Sequence, residues 1–549
     1  MYIIIMFVVT TYIIYAISLF SCCKDYYTYQ DMFGPLSKDY TFMISLLLFL
    51  LVSYSLMYYL VTNLDVKKWL PFGVVLLALT ISSIRLLPDI ADMYYTQNFY
   101  DAGGHMARGA FVTLTGHSDP SVDGYFDLQP GFFWFTAILI HIVYGNPVAY
   151  TDPVFGFFVK WFHVVAIMIY IPILFALNKN FIQDSREIFV TLFLFFLFNP
   201  SRAHYAAQTY ADALFWFAMM LLFVTITGED KKRLIMLFVV LAAIVFVHQG
   251  VTMFTLVTLL SAIFVTSFLV RAQQVSRVLA LLVLYLISIW LVYLLYISNF
   301  TLMNFLHTLI SVVKKYLFEG VIEVTSSAMR RAWEPWENVV VFKALYMAIL
   351  IFGGLILTAL QYKLTKNQVY LLRAIIIFTI SAAMGSIAVA LGGVGYIERI
   401  PEVLLPLLLL PFVEIQLESP KNRHSNTIWK SLVTIAVLSL LLMSPYVYFS
   451  GRNFQSISLS ETHSAQFLRE HTDTIAGIYL TITARSLYDL LLKNYTHIPH
   501  GLYTLMLHHL YFFLYYFFGD LQLMYHYADY ALKTCNVIYF NPTARLLYC

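Results

Sequence analysis

Aspartate and histidine exchange protons near neutral pH and ligate divalent metal ions. Residues 89–129 concentrate them: Asp89, Asp92, Asp101, Asp119, Asp123 and Asp127 with His105 and His117, inside a chain that is otherwise apolar. Within Asp101-Ala-Gly-Gly-His105 the spacing is four residues, which sets both side chains on one face if the segment coils. Gly103 and Gly104 loosen such a helix and equally permit close approach of a ligand. Acid–base work at Asp101 competes with a helix-capping role. Asp89 and Asp92 also read as solvated groups at a helix end, and His105 as an ordinary interfacial histidine. An Mg or Mn ion could draw ligands from Asp101, His105, Asp89 and Asp92, with Asp101 and His105 first in line. No spacing compels a metal, and no cofactor is certain.

The elements that must carry this segment are membrane helices. Hydrophobic residues make up 60% of the 549 and charged residues 11%, with a mean hydropathy of +0.76; a soluble domain does not have that composition. Apolar runs of roughly 18 to 22 residues recur, the length of a bilayer-spanning helix. The first, 2–20, lacks a basic leader and is followed by Cys22-Cys23 instead of a small-residue cleavage site, so it reads as an uncleaved span. A net charge of +3 gives no sign of a nucleic-acid partner. Cys22, Cys23, Cys535 and Cys549 form no zinc spacing and no disulfide framework. A Cys535–Cys549 bridge is open to the chain if that end lies outside the cell.

Spans are expected near 2–20, 41–62, 71–88, 153–177, 187–199, 209–227, 234–247, 250–270, 278–298, 341–360, 372–391, 400–416 and 428–449. The stretch 131–144 decides the topology. If it crosses, Lys179/Arg186, Lys231/Lys232/Arg233, Arg271/Arg277, Lys363/Lys366/Arg373 and Lys421/Arg423/Lys430 all face away from Lys67/Lys68. If it does not, every cluster joins them on one face, as the positive-inside rule requires. The stretch is short and bracketed by Pro130-Gly131 and Gly145-Asn146-Pro147, which suits an interfacial or re-entrant helix. The fold expected is therefore an all-α polytopic membrane protein of about 13 transmembrane helices, N-terminus in the cytoplasm, with a small C-terminal α/β extracytoplasmic domain. The outer face then receives the 89–128 loop, residues 199–205, His248-Gln249-Gly250, the 299–340 loop, residues 392–399 and the C-terminal hundred residues.

That C-terminal segment, 450–549, changes character. Residues 461–471 and 484–494 read as helices, 475–482 as a strand, and 537–540 with 544–548 as a hairpin around Asn541-Pro542-Thr543. The apolar, aromatic stretch 502–518 reads as a helix lying on the membrane surface or the cap. The organisation expected is 1–70 as additional N-terminal helices, 71–449 as a membrane module whose first outer loop is 89–152, and 450–549 as an outer cap.

The order of these features resembles a family. Asp101-Ala-Gly-Gly-His105 comes first, then Gly116-His117, then Pro130-Gly131 opening a juxtamembrane helix that ends Tyr144-Gly145-Asn146-Pro147. Ala206-Ala207-Gln208 leads a later span, His248 ends another, Glu398-Arg399-Ile400-Pro401 opens a third, and Ile538-Tyr539 to Arg545-Leu546-Leu547-Tyr548 closes the chain. Together they resemble the multi-spanning GT-C glycosyltransferases of archaeal and bacterial membranes, over roughly residues 70–549. The resemblance implies a polyprenyl-phosphate-linked sugar donor, a glycan, lipid or protein acceptor, contact with membrane lipids, and a site outside the cytoplasm. The chain departs from two branches of that superfamily. It lacks the Trp-Trp-Asp triplet expected of oligosaccharyltransferase catalytic subunits and the adjacent Asp-Glu pair of protein O-mannosyltransferase-like first loops.

Sugar transfer from a lipid phosphate to a hydroxyl needs a base, a cationic or hydrogen-bonding site for the departing phosphate, and a groove for the polyprenyl chain. Asp101 is the first choice for the base, since partial desolvation raises a carboxyl toward neutrality; Asp89 and Asp92 follow it, and His105 could orient it. Arg399, beside Glu398 at a span end, is the first choice for the phosphate, against a plain Glu398–Arg399 pair. Arg202, His204, His248 and Arg331 are the other substrate-binding candidates. Arg331 stands among Trp333 and Trp336, a grouping that equally anchors in lipid headgroups. Asp212 carries a weak signal, being one polar residue near a span end. The competing readings are a polyprenyl-linked glycan flippase or transporter, against which stands the absence of an inverted repeat, and a surface-glycan polymerase or ligase.

Overall fold

The computed structural model describes residues 2–22, 40–87, 94–96, 105, 108–109, 111–118, 126, 129–144, 153–182, 184–199, 206–227, 231–269, 273–298, 302–303, 306–307, 310, 337–366, 368–390, 395–417, 423–449, 457–458, 503–507, 536–540 and 544–548. Among them are fourteen long helices. In chain order these are α1 (Tyr2–Cys22), α2 (Tyr40–Asn63), α3 (Val66–Ile81), α4 (Pro130–Tyr144), α5 (Pro153–Lys179), α6 (Ser185–Phe198) and α7 (Ala207–Thr227). There follow α8 (Lys231–Val247), α9 (Gln249–Phe264), α10 (Gln273–Tyr296), α11 (Glu337–Thr365), α12 (Gln368–Ala390), α13 (Gly395–Leu417) and α14 (Arg423–Phe449). α3 and α9 each run into a π turn, Ser82–Leu86 and Val265–Leu269.

Each segment read as a span overlaps one of these helices. Five are long and apolar enough across their described residues to cross a membrane: Met43–Asn63, Ala207–Thr225, Gln249–Ser267, Gln273–Tyr296 and Leu345–Lys363. α4 has 15 residues; at about 1.5 Å per residue it is roughly 22 Å long, short of the ~30 Å of a hydrocarbon core.

The helices are apolar on all sides, as elements without water on their outer faces are. α6 is the innermost: Ile188 to Phe198 are all buried, and Asp184 caps its start by accepting the Arg186 N–H at 2.8 Å. Outer helices keep rows of exposed large apolar side chains, such as Leu281, Leu284, Leu291 and Leu295 on α10 and Phe7, Ile13, Ile14 and Ile17 on α1. Threonines inside the helices bond back to the preceding turn, for example Thr80 to Leu76 O at 2.9 Å and Thr255 to Val251 O at 2.8 Å, so no hydroxyl at these positions is stranded in apolar surroundings. Where α11 crosses α13 the backbones approach closely. A Cβ on Gly354 would lie 3.0 Å from the Leu408 carbonyl, and one on Gly353 would lie 3.0 Å from the Phe412 ring.

One end of the bundle carries a buried ion pair. Arg373 of α12 grips Glu414 of α13 with both guanidinium nitrogens, at 2.8 and 3.0 Å, and Gln361 of α11 donates to the same carboxylate at 2.8 Å. Two residues on, Gln416 donates to the Tyr54 hydroxyl of α2. Arg373 also lies over the Tyr370 ring, 5.4 Å from its centroid.

Two small sheets complete the described structure. β1 (Tyr94–Thr96) pairs antiparallel with β2 (Ile457–Ser458), joining the first loop to the C-terminal segment. β3 (Tyr503–Leu507), β4 (Asn536–Phe540) and β5 (Ala544–Tyr548) form an antiparallel sheet in the order β3-β5-β4. The β4–β5 pair is the hairpin read from the sequence, with a bulge between Val537 and Tyr539. The stretch 502–518 is a correction: 503–507 is not helical but pairs with β5 from Tyr503↔Tyr548 to Leu507↔Ala544. An aromatic, β-branched run such as Tyr-Thr-Leu-Met-Leu fits a pleated ladder as soon as a partner strand is present. The expected elements at 461–471, 475–482 and 484–494 lie outside the described residues.

Candidate functional site

The site grows from the end of α3 opposite the Arg373–Glu414 pair. There α3 widens into the π turn Ser82–Leu86, and the Leu87 N–H donates to Ser82 O. Asp89, Asp92 and Asp101 follow in the chain and lie outside the described residues, as do Arg202, His204 and Arg331. Glu398 and Arg399 fall in the first turns of α13, where the backbone alone is described.

His105 is described, and it is buried at 2% exposure. Its ring stands edge-on to Phe132 of α4, with centroids 5.2 Å apart, and tilted against Phe133 at 5.7 Å. The nest continues on both sides. Phe126 meets Phe133 at 5.6 Å and Phe111 at 5.2 Å. Phe132 meets Tyr210 of α7 at 5.4 Å, and Tyr210 meets Phe162 of α5 at 4.8 Å. An aromatic chain thus runs from the His105 imidazole through Phe132 of α4 and Tyr210 of α7 to Phe162 of α5.

Local sequence explains how the loop reaches this nest. Residues 111–115 are helical, and Gly116 ends that turn at φ +74, a conformation that glycine adopts without a Cβ penalty. Gly116 N–H bonds the Val112 carbonyl at 2.9 Å. Thr115 then donates to the His117 carbonyl at 2.9 Å, and His117 is exposed. α4 opens at Pro130, whose missing N–H costs nothing in a first turn. Gly131 is required there, because a Cβ would sit 3.0 Å from the Phe246 carbonyl. That contact sets α4 beside the tight reversal from α8 to α9, where His248 is the N-cap: its Nδ1 accepts the Val251 N–H at 3.1 Å. In the neutral ring the proton therefore sits on Nε2. Of the sequence-derived candidates with described side chains, His105 packs on the start of α4 and His248 lies two residues beyond Phe246, which Gly131 of α4 meets.

Three buried polar residues accompany them. Arg108 is 8% exposed, three residues after His105 and helical like it. Gln129 is 7% exposed, and its backbone carbonyl accepts from Phe132 N and Phe133 N at 3.1 and 3.4 Å. Asp212 of α7 is 4% exposed. Arg108 and Gln129 were given no role in the sequence; the signal that could have marked them is the nearness of Arg108 to Gly-Gly-His and of Gln129 to Pro-Gly.

A hard divalent ion needs several oxygen ligands. The described surroundings of His105 are aromatic, and among the described residues no three His, Cys, Asp or Glu side chains converge. The described donor set alone does not fit such an ion.

No protein-family model matches the chain, and no curated protein matches it. Solved structures similar to it are archaeal oligosaccharyltransferases from Archaeoglobus fulgidus. The one tethered to an acceptor peptide with the NVT sequon aligns over 74% of this chain and 58% of its own, with TM-score 0.47 and 13% identity. AglB in complex with an inhibitory peptide and a dolichol-phosphate aligns over 74% and 58%, with TM-score 0.44 and 11% identity. The apo form aligns over 77% and 60%, with TM-score 0.45 and 11% identity. The chain spans less than two thirds of the length of these structures.

Proposed function

We propose that this protein is an integral membrane glycosyltransferase of the GT-C kind. It moves a sugar from a polyprenyl-phosphate donor to a glycan, lipid or protein acceptor at the extracytoplasmic end of a thirteen-span bundle. The observation that carries the reading is the convergence of the first loop on α4: His105 packs on Phe132 and Phe133 directly beside the Gly131–Phe246 contact and the His248 turn. Gly-Gly-His105, Pro130-Gly131 and His248, widely separated in the sequence, support this reading by their common relation to the start of α4.

The chemistry is a single inverting displacement. The acceptor hydroxyl oxygen forms the bond to the anomeric carbon, the bond from that carbon to the phosphate oxygen breaks, and polyprenyl phosphate leaves with the electron pair. Asp101 takes the acceptor proton. Arg399 holds the departing phosphate, a bidentate task that suits a guanidinium. Arg202, His204, His248 and Arg331 are assigned to substrate binding on the same outer side, and the short α4, with Trp134, Ile138 and Ile142 exposed, suits a place at the interface.

A flippase is less well supported. Among the described residues, the buried charged or imidazole groups are His105, Arg108, Asp212 and His248 toward one end and Arg373 and Glu414 toward the other. A transport path would string such groups through the midplane.

Purified protein supplied with a labelled polyprenyl-phosphate sugar and a hydroxyl acceptor tests the reading. Release of polyprenyl phosphate with transfer of label, abolished in Asp101→Asn while donor binding persists, is the expected result. Movement of the intact donor between leaflets without its turnover overturns the proposal.

A further inference from the structure

α1 precedes the part of the chain that resembles a glycosyltransferase, yet it holds the helix end from which the acidic loop departs. In a π turn each carbonyl bonds the N–H five residues on, and Leu87 accordingly donates to Ser82 O. The next carbonyl in that ladder, Ser83 O, would need the N–H of residue 88, which is Pro88 and has none. Ser83 is 0% exposed, so bulk water does not reach it. The missing donor comes from another helix: the Tyr15 hydroxyl of α1 donates to Ser83 O. One turn earlier on α1, the Tyr12 hydroxyl shares a hydrogen bond with Ser82 Oγ at 2.8 Å.

The two rings are set for this by α2. Tyr15 is 0% exposed and stacks on Phe49, with centroids 6.2 Å apart and planes 16° apart; Tyr12 meets the same ring edge-on at 5.3 Å. Ser83 Oγ is itself occupied, donating to Thr80 O at 2.8 Å. A sequence that places proline at the fifth position after Ser83 thus depends on α1 to complete the turn. Asp89 and Asp92 follow six and nine residues after Ser83, and this turn, ending at Leu87, is the described backbone that precedes them.

We propose that Tyr15, supported by Tyr12, is a positioning residue for the first loop: the N-terminal helix fixes the π turn and thereby the approach of the acidic segment to its substrate. Its consequence for turnover rests on the function proposed above; its structural part does not.

The test uses the full chain in lipid nanodiscs with labelled polyprenyl-phosphate sugar. Tyr15→Phe keeps the stacked ring and removes the donor. We expect kcat to fall on the order of tenfold with the donor KM unchanged, and amide exchange over residues 84–93 to quicken by about the same factor. Tyr15→Phe combined with Pro88→Ala returns an N–H to the ladder position facing Ser83 O and is expected to restore both readouts. Tyr12→Phe, which leaves the carbonyl bond in place, shifts both in the same direction by less. Wild-type exchange in both single variants, or a double variant no better than Tyr15→Phe, overturns the proposal. If the wild-type chain turns over no donor while exchange still responds and reverses as described, the functional reading falls and the positioning role of Tyr15 stands.

Discussion

The Trp216 indole N–H of α7 donates to the Val403 carbonyl of α13 at 3.1 Å. The two helices start from the same end of the bundle. Tyr346 of α11 bonds Phe198 O at the end of α6, nine residues before α7 begins, and α11 runs alongside α13 from the Gly354–Leu408 contact to the Gln361–Glu414 bond. One helical turn toward that shared end lie Asp212 on α7 and Arg399 on α13. For the phosphate-binding role proposed for Arg399, we propose the buried Asp212 as counter-charge.

Asp212→Asn is therefore expected to raise the donor KM, and Arg399→Ala to raise it further. A double-mutant cycle on donor affinity should return a coupling of about 1–2 kcal/mol. Additive effects would separate the two residues and leave Arg399 without this support.

The Arg373–Glu414 pair makes a prediction about stability alone. Both side chains are nearly buried, at 5% and 10% exposure, so removing one partner strands the other. Glu414→Leu is expected to cost about 3–5 kcal/mol, and Arg373→Met with Glu414→Leu to recover most of it. Thermal unfolding in detergent reads both; equal stability of the single and double variants contradicts the assignment.

Glycine substitutions separate close approach from open space. Gly131→Ala would drive a Cβ into the Phe246 backbone at 3.0–3.2 Å, whereas at Gly385 of α12 nothing lies within 4 Å. The first change is expected to destabilise by about 1–3 kcal/mol and to impair transfer by displacing Phe132 and Phe133 from His105. Gly385→Ala is expected to stabilise by up to about 1 kcal/mol. The same melting series checks both, and a neutral Gly131→Ala would remove the case for tight docking of α4 on the α8–α9 turn.

Much of the helical frame was legible because a bilayer-spanning helix announces itself by length and apolarity, and α4 was delimited by its prolines and glycines at 130–131 and 145–147. β3 was misread because Tyr-Thr-Leu-Met-Leu has no period that separates strand from helix, and its partner, β5, begins at Ala544. The nest around His105 was invisible for a related reason. The loop spacing marked the histidine, but Phe132, Tyr210 and Phe162 come from three other helices whose apolar residues all look alike in sequence. The Tyr15–Ser83 bond spans 68 residues, and only Pro88 hinted that a carbonyl there would need outside help.

The hairpin register carries a further prediction. Asn536 pairs with Tyr548, and Cys535 and Cys549 are the chain neighbours of these two residues. An extracytoplasmic cap would allow the two thiols to join. Mass spectrometry of unreduced protein purified from membranes is expected to find the Cys535–Cys549 peptide link; two free thiols there would argue that this segment faces a reducing compartment.

The central claim is that the acidic loop and the start of α13 share one aqueous compartment outside the cytoplasm. Single cysteines placed at Asp101, Arg399 and Lys363 in a background without the four native cysteines, probed on intact cells with a membrane-impermeant maleimide, test it most directly. The account predicts labelling at positions 101 and 399 before permeabilisation and at 363 only after it. Labelling of 101 and 399 from opposite sides of the membrane would contradict it.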